Sequence, residues 1–168
     1  RDNRGDLEEH ANQLLPYVGR QASALSGGRP EGNAIEDASR KLLAAHDNEW
    51  GGFGSAPKFP HSMSIDILLR QLQKTNDPEI LQTVTTSLDA MASGGIYDHL
   101  DGGFSRYSVD NYWLVPHFEK MLYDNALLAR VYLHAWQITK EQRWRNVAEE
   151  TIDYVLRRLI QPGGGFAS

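Results

Sequence analysis

The chain has 168 residues, 40% hydrophobic and 23% charged, which is enough apolar content to bury a core and reads as one domain. Its net charge of −5, the absence of a basic run and the absence of an apolar stretch of membrane-spanning length exclude nucleic acid and membrane as expected partners. Cysteine is absent, so disulfides, thiolate metal sites and dithiol redox chemistry are excluded from these residues.

No signal segment opens the chain, and a soluble protein with a cytoplasmic location is expected. The first residue is Arg1, and the final Gly-Gly-Gly-Phe-Ala-Ser stops in a loop, so a segment of a longer protein is expected.

Leu7, Ala11, Leu14, Leu15, Val18 and Ala22 recur at helical spacing, with Pro16 expected to kink or end that helix. Residues 26–32 form a breaker cluster. Asn33 and Glu36 then make a capping box for a helix to about His46, burying Ile35, Ala38, Leu42, Leu43 and Ala45. Residues 47–62 are too rich in Gly and Pro for a helix. Ser62 or Ser64 is expected to cap the next one, with Ile65, Leu68, Leu69 and Leu72 inside. Asp77 as cap and Pro78 at the first position start a helix through Ile80, Leu81, Val84, Leu88 and Met91, closed by Gly94-Gly95.

Pro116 is placed as the first residue of a long helix carrying Phe118, Met121, Leu122, Ala126, Ala129, Tyr132, Leu133 and Trp136. Thr139 and Gln142 make a capping box for the last helix, which carries Trp144, Val147, Ala148, Thr151, Ile152, Val155 and Leu159 and stops at Pro162-Gly163. No segment alternates as a strand would, so the fold class is all-α.

A Gly-Gly-Phe loop recurs at 51–53, 102–104 and 164–166. The connections between copies, at 75–78 and 139–141, are short. In an antiparallel stack, alternate connections lie at opposite ends, so the long loops share one end. That pattern predicts helical hairpins forming part of an α/α toroid, with the long loops as its mouth. Three hairpins are visible, about half of a closed ring. Its end helices, near 7–18 and 144–159, are therefore expected either to self-associate or to present an unusually apolar end face.

Residues 94–125 hold four glycines, two histidines and four tyrosines with Trp113, Arg106 and several carboxylates, a composition suited to lining a site. On a helix from Pro116, His117, Lys120 and Asp124 would share one face, with Glu119 and Tyr123 paired beside them. Asp98 adjoins His99, which is either a general acid or base or a hydrogen-bonded residue that holds the loop. Lys58, in a stiff Pro-Lys-Phe-Pro segment, either donates to a substrate oxygen or bridges loops. Tyr107, Tyr112, Trp50, Phe59 and Trp113 offer ring faces of the kind that stack on sugars, while the Phe of each Gly-Gly-Phe is read as a plug beneath its loop. His61, His99 and His117 show no recognised ligand spacing, so neither a metal nor a cofactor is expected.

The segments Gly-Gly-Phe-Gly-Ser-Ala-Pro-Lys-Phe-Pro at 51–60, Gly-Gly-Ile-Tyr-Asp-His-Leu-Asp-Gly-Gly-Phe-Ser-Arg-Tyr-Ser-Val-Asp at 94–110, and Val-Pro-His-Phe-Glu-Lys-Met-Leu-Tyr-Asp-Asn at 115–125 are specific. Through them, residues 33–168 resemble the spermatogenesis-associated thioredoxin-like proteins and their bacterial relatives. In that family a thioredoxin-like domain precedes an α/α toroid similar to the N-acylglucosamine and cellobiose 2-epimerases and the six-hairpin glycosidases. The resemblance implies the toroid and a sugar ligand, with the thioredoxin-like domain and further hairpins outside this chain.

Two functional classes follow. A sugar-active toroid of epimerase type would move a proton with His99 and His117 and stabilise an enolate with Arg106 or Lys58. One of glycosidase type would use two carboxylates from Asp98, Asp110, Glu119 and Asp124. The candidate catalytic residues are His99, His117, Asp98 and Glu119. Those for substrate binding are Lys58, His61, Tyr97, Arg106, Tyr107, Asp110, Trp113, Lys120, Tyr123 and Asp124. The alternative is a non-catalytic binding toroid that partners a thioredoxin-like redox domain. His117→Ala and Asp98→Ala are both expected to spare the fold.

Overall fold

The computed structural model describes residues 4–24 and 32–167, and of residues 17–24 only the helical backbone. The breaker at 26–31 and the side chains of Val18 and Ala22 therefore lie outside the described residues. Two units, 1–34 and 35–168, are taken separately. In the first, α1 (Arg4–Ala24) is continuous, with Pro16 inside it and not at its end. Leu7, Leu14 and Leu15 are exposed, in line with the apolar end face expected near 7–18.

The second unit contains α2 (Ala34–Ala44, whose first residue falls in the first unit), α3 (Ser62–Thr75), α4 (Pro78–Ser93), α5 (Leu122–Thr139) and α6 (Gln142–Tyr154). The last continues into a π-helical turn over Val155–Leu159. The described residues contain isolated antiparallel bridges and no strand, so the unit is all-α. α3 packs on α4, α5 on α6, and α3 and α5 pack on each other. The core follows the helical stripes: Ile65, Leu68, Leu69 and Leu72 from α3, Ile80, Val84, Leu88 and Met91 from α4, Leu128, Val131, Tyr132 and Ala135 from α5, and Trp144 and Ala148 from α6.

Asp77 caps α4 as expected, its carboxylate accepting from Glu79 N at 2.9 Å with Pro78 at the first turn. The caps expected for α3 and α6 differ. α3 starts at Ser62 behind His61, whose left-handed backbone (φ 47°) makes the turn without a side-chain cap. Thr139 does not cap α6; its hydroxyl donates back to Ala135 O and accepts from Glu141 N. Thr75 makes the same two bonds, to Gln71 O and from Asp77 N, and left-handed Asn76 and Lys140 follow the two threonines. The two hairpins thus share one turn design, in which Thr closes the first helix and the residue two later begins the second.

The long loops meet at the other end. Lys58 and Ser108 exchange backbone hydrogen bonds of 2.8 and 2.9 Å, and Trp113 Nε1 donates to Trp50 O at 3.0 Å. The N-termini of α3 and α5 therefore point toward a common mouth.

The Gly-Gly-Phe repeat is a docking device. In each of the first two copies an aspartate caps the loop: Asp47 Oδ1 accepts from Glu49 N and Trp50 N, and Asp98 Oδ1 from Leu100 N and Asp101 N. The loop after α2 docks on α4, where Gly52 N donates to Ser87 Oγ, and the loop after α4 docks on α6. Phe53 and Phe104 are buried plugs, whereas Phe166 of the third copy is 46% exposed.

A Cβ at Gly102 (φ 76°) would lie 2.6 Å from the Glu150 carbonyl oxygen, while one at Gly164 (φ 83°) would meet nothing within 4 Å. Gly102→Ala is therefore expected to cost about 2–4 kcal/mol, strain plus collision, and Gly164→Ala only about 1 kcal/mol of backbone strain. Urea unfolding of the two variants checks this; equal losses would show that the second loop is not seated tightly on α6.

Candidate functional site

Residues 106–109 pair antiparallel with 115–119: Val109 N donates to Val115 O, His117 N to Tyr107 O and Arg106 N to Glu119 O. The turn between is held by Asp110, whose carboxylate accepts from Tyr112 N, Leu114 N and Val115 N and from Ser108 Oγ. Burial opposes ionisation of Asp110, but these donors outweigh it and lower its pKa. Asp110 is thus a loop clamp.

This pairing also corrects the helix start. Pro116 lies in a bridge with Ser108, and α5 begins only at Leu122. With the backbone groups of 115–119 committed to residues 106–109, no helical turn forms there, and His117, Lys120 and Asp124 do not share a helix face. In an extended segment side chains alternate. His117 and Glu119 fall on one side, with Nδ1 and Oε2 3.9 Å apart, and Phe118, 89% exposed, on the other.

Several candidates are consumed internally. Lys58 is fully buried; its Nζ lies 2.5 Å from Asp47 Oδ2, donates to Asn111 O at 3.0 Å and sits 5.2 Å from the Trp113 ring centre. It bridges loops and cannot reach a ligand. Trp113, left-handed at φ 66° and 1% exposed, is a core residue and not a sugar platform. Tyr97 is buried and donates to Glu150; burial, then that carboxylate, raises its pKa.

Asp98 is bound by Lys120 at 2.7 Å, and that hydrogen bond, with the loop N–H groups and against some burial, holds its pKa at about 2. It is a fixed anion and not a proton donor. Lys120 also donates to Gly102 O and lies 4.1 Å from the Tyr154 ring centre, repeating the Asp47–Lys58–Trp113 arrangement. His99 places Nε2 3.1 Å from Gly94 O and its ring edge-on to Tyr97, the loop-holding alternative. No hydrogen bond or ring contact joins His99 to His117, so the expected histidine pair is not assembled among the described residues.

What stays open is a smaller cluster. Arg106 Nη1 lies 3.4 Å from Glu119 Oε2 and its guanidinium 5.9 Å from the Tyr123 ring centre. Phe59, Tyr107 and His117 form a row of rings, 4.8 and 4.6 Å between successive centroids. Two atoms here are buried without a hydrogen-bond partner, His117 Nδ1 and Asp124 Oδ2. Burial raises the Asp124 pKa and the Glu119 charge adds to it, against Arg106. His61, edge-on to Phe53, has its imidazole pKa lowered by partial burial.

A second polar group, Asp66 and Arg70 on α3 with Arg130 and His134 on α5, went unread in the sequence. Its one signal there is a charged or titratable pair spaced four apart on each of two helices. Among the described residues no three His, Asp or Glu side chains converge as a metal site requires, and no helix is long and apolar enough to cross a membrane.

No family model matches the chain. Spermatogenesis-associated protein 20 of Mus musculus is 41% identical over 133 residues, 77% of this chain and 17% of that protein. An uncharacterized Caenorhabditis elegans protein is 36% identical over 172 residues, 96% of this chain and 23% of its own length. The chain thus spans less than a quarter of these relatives. Among solved structures, cellobiose 2-epimerase from Spirochaeta thermophila superposes with a TM-score of 0.66 at 18% identity, covering 82% of this chain and 40% of that one. The GH76 α-mannanase BT2949 of Bacteroides thetaiotaomicron gives 0.59 at 17% identity, covering 75% and 37%. The fold is that of the α/α toroids, of which this chain matches about two fifths.

Proposed function

Because the chain is homologous to spermatogenesis-associated protein 20 and folds as part of an α/α toroid, we propose that it forms part of a carbohydrate site at the toroid mouth, with proton-transfer groups supplied by His117, Glu119 and Asp124. The observation that carries this reading is the pair of buried, unpartnered atoms, His117 Nδ1 and Asp124 Oδ2, beside a half-open Arg106–Glu119 pair. Buried polar atoms left unpaired are costly and mark places where a ligand supplies the missing bond. The epimerase and mannanase folds of the structural neighbours support a sugar as that ligand.

In this reading the sugar packs its C–H face on the Tyr107–Phe59 row. His117, set beside Glu119, accepts a proton. Asp124, its pKa raised by burial, donates to a substrate oxygen, and Arg106 carries developing negative charge.

The test is a titration of the chain with cellobiose and mannose, followed through the His117 and Tyr107 resonances. Saturable binding is expected, weakened about tenfold or more in His117→Ala and Arg106→Ala. Saturation unaffected by either change, or no saturation at all, overturns the proposal.

The second reading is a non-catalytic toroid that docks a thioredoxin-like domain. It is favoured by Phe118 and Leu114, 89% and 62% exposed at the same end. Phe118→Ser separates the two, since loss of protein docking with sugar binding intact would favour the scaffold.

A further inference from the structure

α3 and α5 meet across a polar cluster that the mouth does not use. Asp66, 4% exposed, accepts from Arg70 Nε at 3.0 Å, lies 3.0 Å from His134 Nδ1 and 3.6 Å from Arg130 Nη2. Its pKa is lowered, the guanidinium and imidazole partners outweighing burial, so it stands as one negative charge against two permanent positive ones. The cluster is over-supplied with donors. Each arginine spends one nitrogen on Asp66, the remaining contact of Arg130 is a 3.8 Å approach of Nη2 to Met63 Sδ, and Arg130 Nε is buried with no partner at all. His134, with Nδ1 committed to Asp66, keeps Nε2 for something else.

Beside this cluster is a cavity of about 530 Å³, lined by Arg70 and His134 with Gln73, Asn76 and Gln137, and floored by Leu69 and Ile138. That volume is within the range of small-molecule sites. All of its polar residues can donate a hydrogen bond, and no carboxylate lines it. Arg forks held by a buried carboxylate are pre-oriented, which lowers the cost of ordering them around a ligand.

We propose that the α3–α5 cavity binds an oxyanion, the carboxylate or phosphate of a small polar molecule, through Arg70 and His134, with Asp66 as the positioning residue and Arg130, which lines the neighbouring α5–α6 cavity, adding positive charge from behind. A neutral ligand would leave the surplus positive charge of the cluster unanswered, whereas an oxyanion matches it and the donors of Arg70 and His134.

Calorimetric titration of the chain with inorganic phosphate, glucose 6-phosphate and glucuronate tests this. At least one is expected to bind saturably, and the preference between the last two identifies phosphate or carboxylate as the source. Arg70→Gln, at a side chain 58% exposed and so safe for folding, is expected to weaken binding about tenfold or more. His134→Gln should weaken it as well, and His117→Ala should leave it unchanged. Absence of saturation with all three anions overturns the proposal. So does binding that survives Arg70→Gln or is lost in His117→Ala, which would place the anion elsewhere or at the mouth.

Discussion

Lys58→Met is expected to destabilise the chain by about 3–5 kcal/mol, the scale for removing one partner of a buried ion pair. Lys58 has no exposed side-chain surface, and Asp47 only 16%. Without the ammonium, the Asp47 carboxylate keeps its two loop N–H donors and the 3.3 Å Asn111 contact but loses the cation that compensates its burial. Asn111 O loses its donor as well, and the loop crossing to Ser108 loses its anchor. Such a loss is a large fraction of the stability of a domain this size. Adding Asp47→Asn should restore part of it, because Asn still accepts from Glu49 N and Trp50 N while removing the orphaned charge. Urea unfolding of the single and double variants checks both parts. A loss below about 1 kcal/mol in the single variant would mean that water reaches the pair.

That Lys58 is structural was one of two readings its Pro-Lys-Phe-Pro setting allowed, and sequence alone could not choose because its partner, Asp47, lies eleven residues earlier and outside any local pattern. The legible features were those fixed by local periodicity or chemistry: the stripes of α3, α4 and α5, the Asp77-Pro78 start, the common end of the long loops, and the Phe53 and Phe104 plugs, whereas on α2 Ile35 and Ala45 are exposed and Ala38, Leu42 and Leu43 only half-buried. The start of α5 was misplaced because Pro116 suits a first helical turn and an extended segment equally, and only pairing with 106–109 decides between them.

The same non-locality governs the site. Asp98, Lys120 and Tyr97 have the residue types of a catalytic group but are satisfied by one another and by Glu150 and the loop backbone. His117, Glu119 and Asp124 are the candidates the fold leaves open. The Asp66 cluster stayed hidden because its four members are split between two helices more than fifty residues apart. The exposed Ile152, Leu156 and Phe166, around an apolar cavity of about 370 Å³ between α5 and α6, fit the expected apolar end face.

Asp98→Ala is expected to cost about 2–4 kcal/mol, contrary to the expectation that both mouth substitutions spare the fold, because it removes the two hydrogen bonds of one loop cap and a partly buried ion pair at once. His117→Ala, at a side chain 44% exposed, should stay within about 1 kcal/mol. The pH dependence isolates the electrostatic part of Asp98. Its folded pKa, about 2, lies below the ordinary 3.8, so its contribution is fully present above the unfolded value and is lost as pH falls from about 4 through 2. With its side chain 34% exposed, solvent screening reduces that contribution to about 1–2 kcal/mol. Asp47, Asp66 and Asp110 are lowered too, so wild-type acid unfolding is a composite. Asp98→Asn keeps an oxygen for the Leu100 and Asp101 N–H groups but cannot titrate. The stability difference between wild type and Asp98→Asn should therefore shrink as pH falls from 4 to 2; a difference constant across that interval would show that the Lys120 pair contributes nothing to folding.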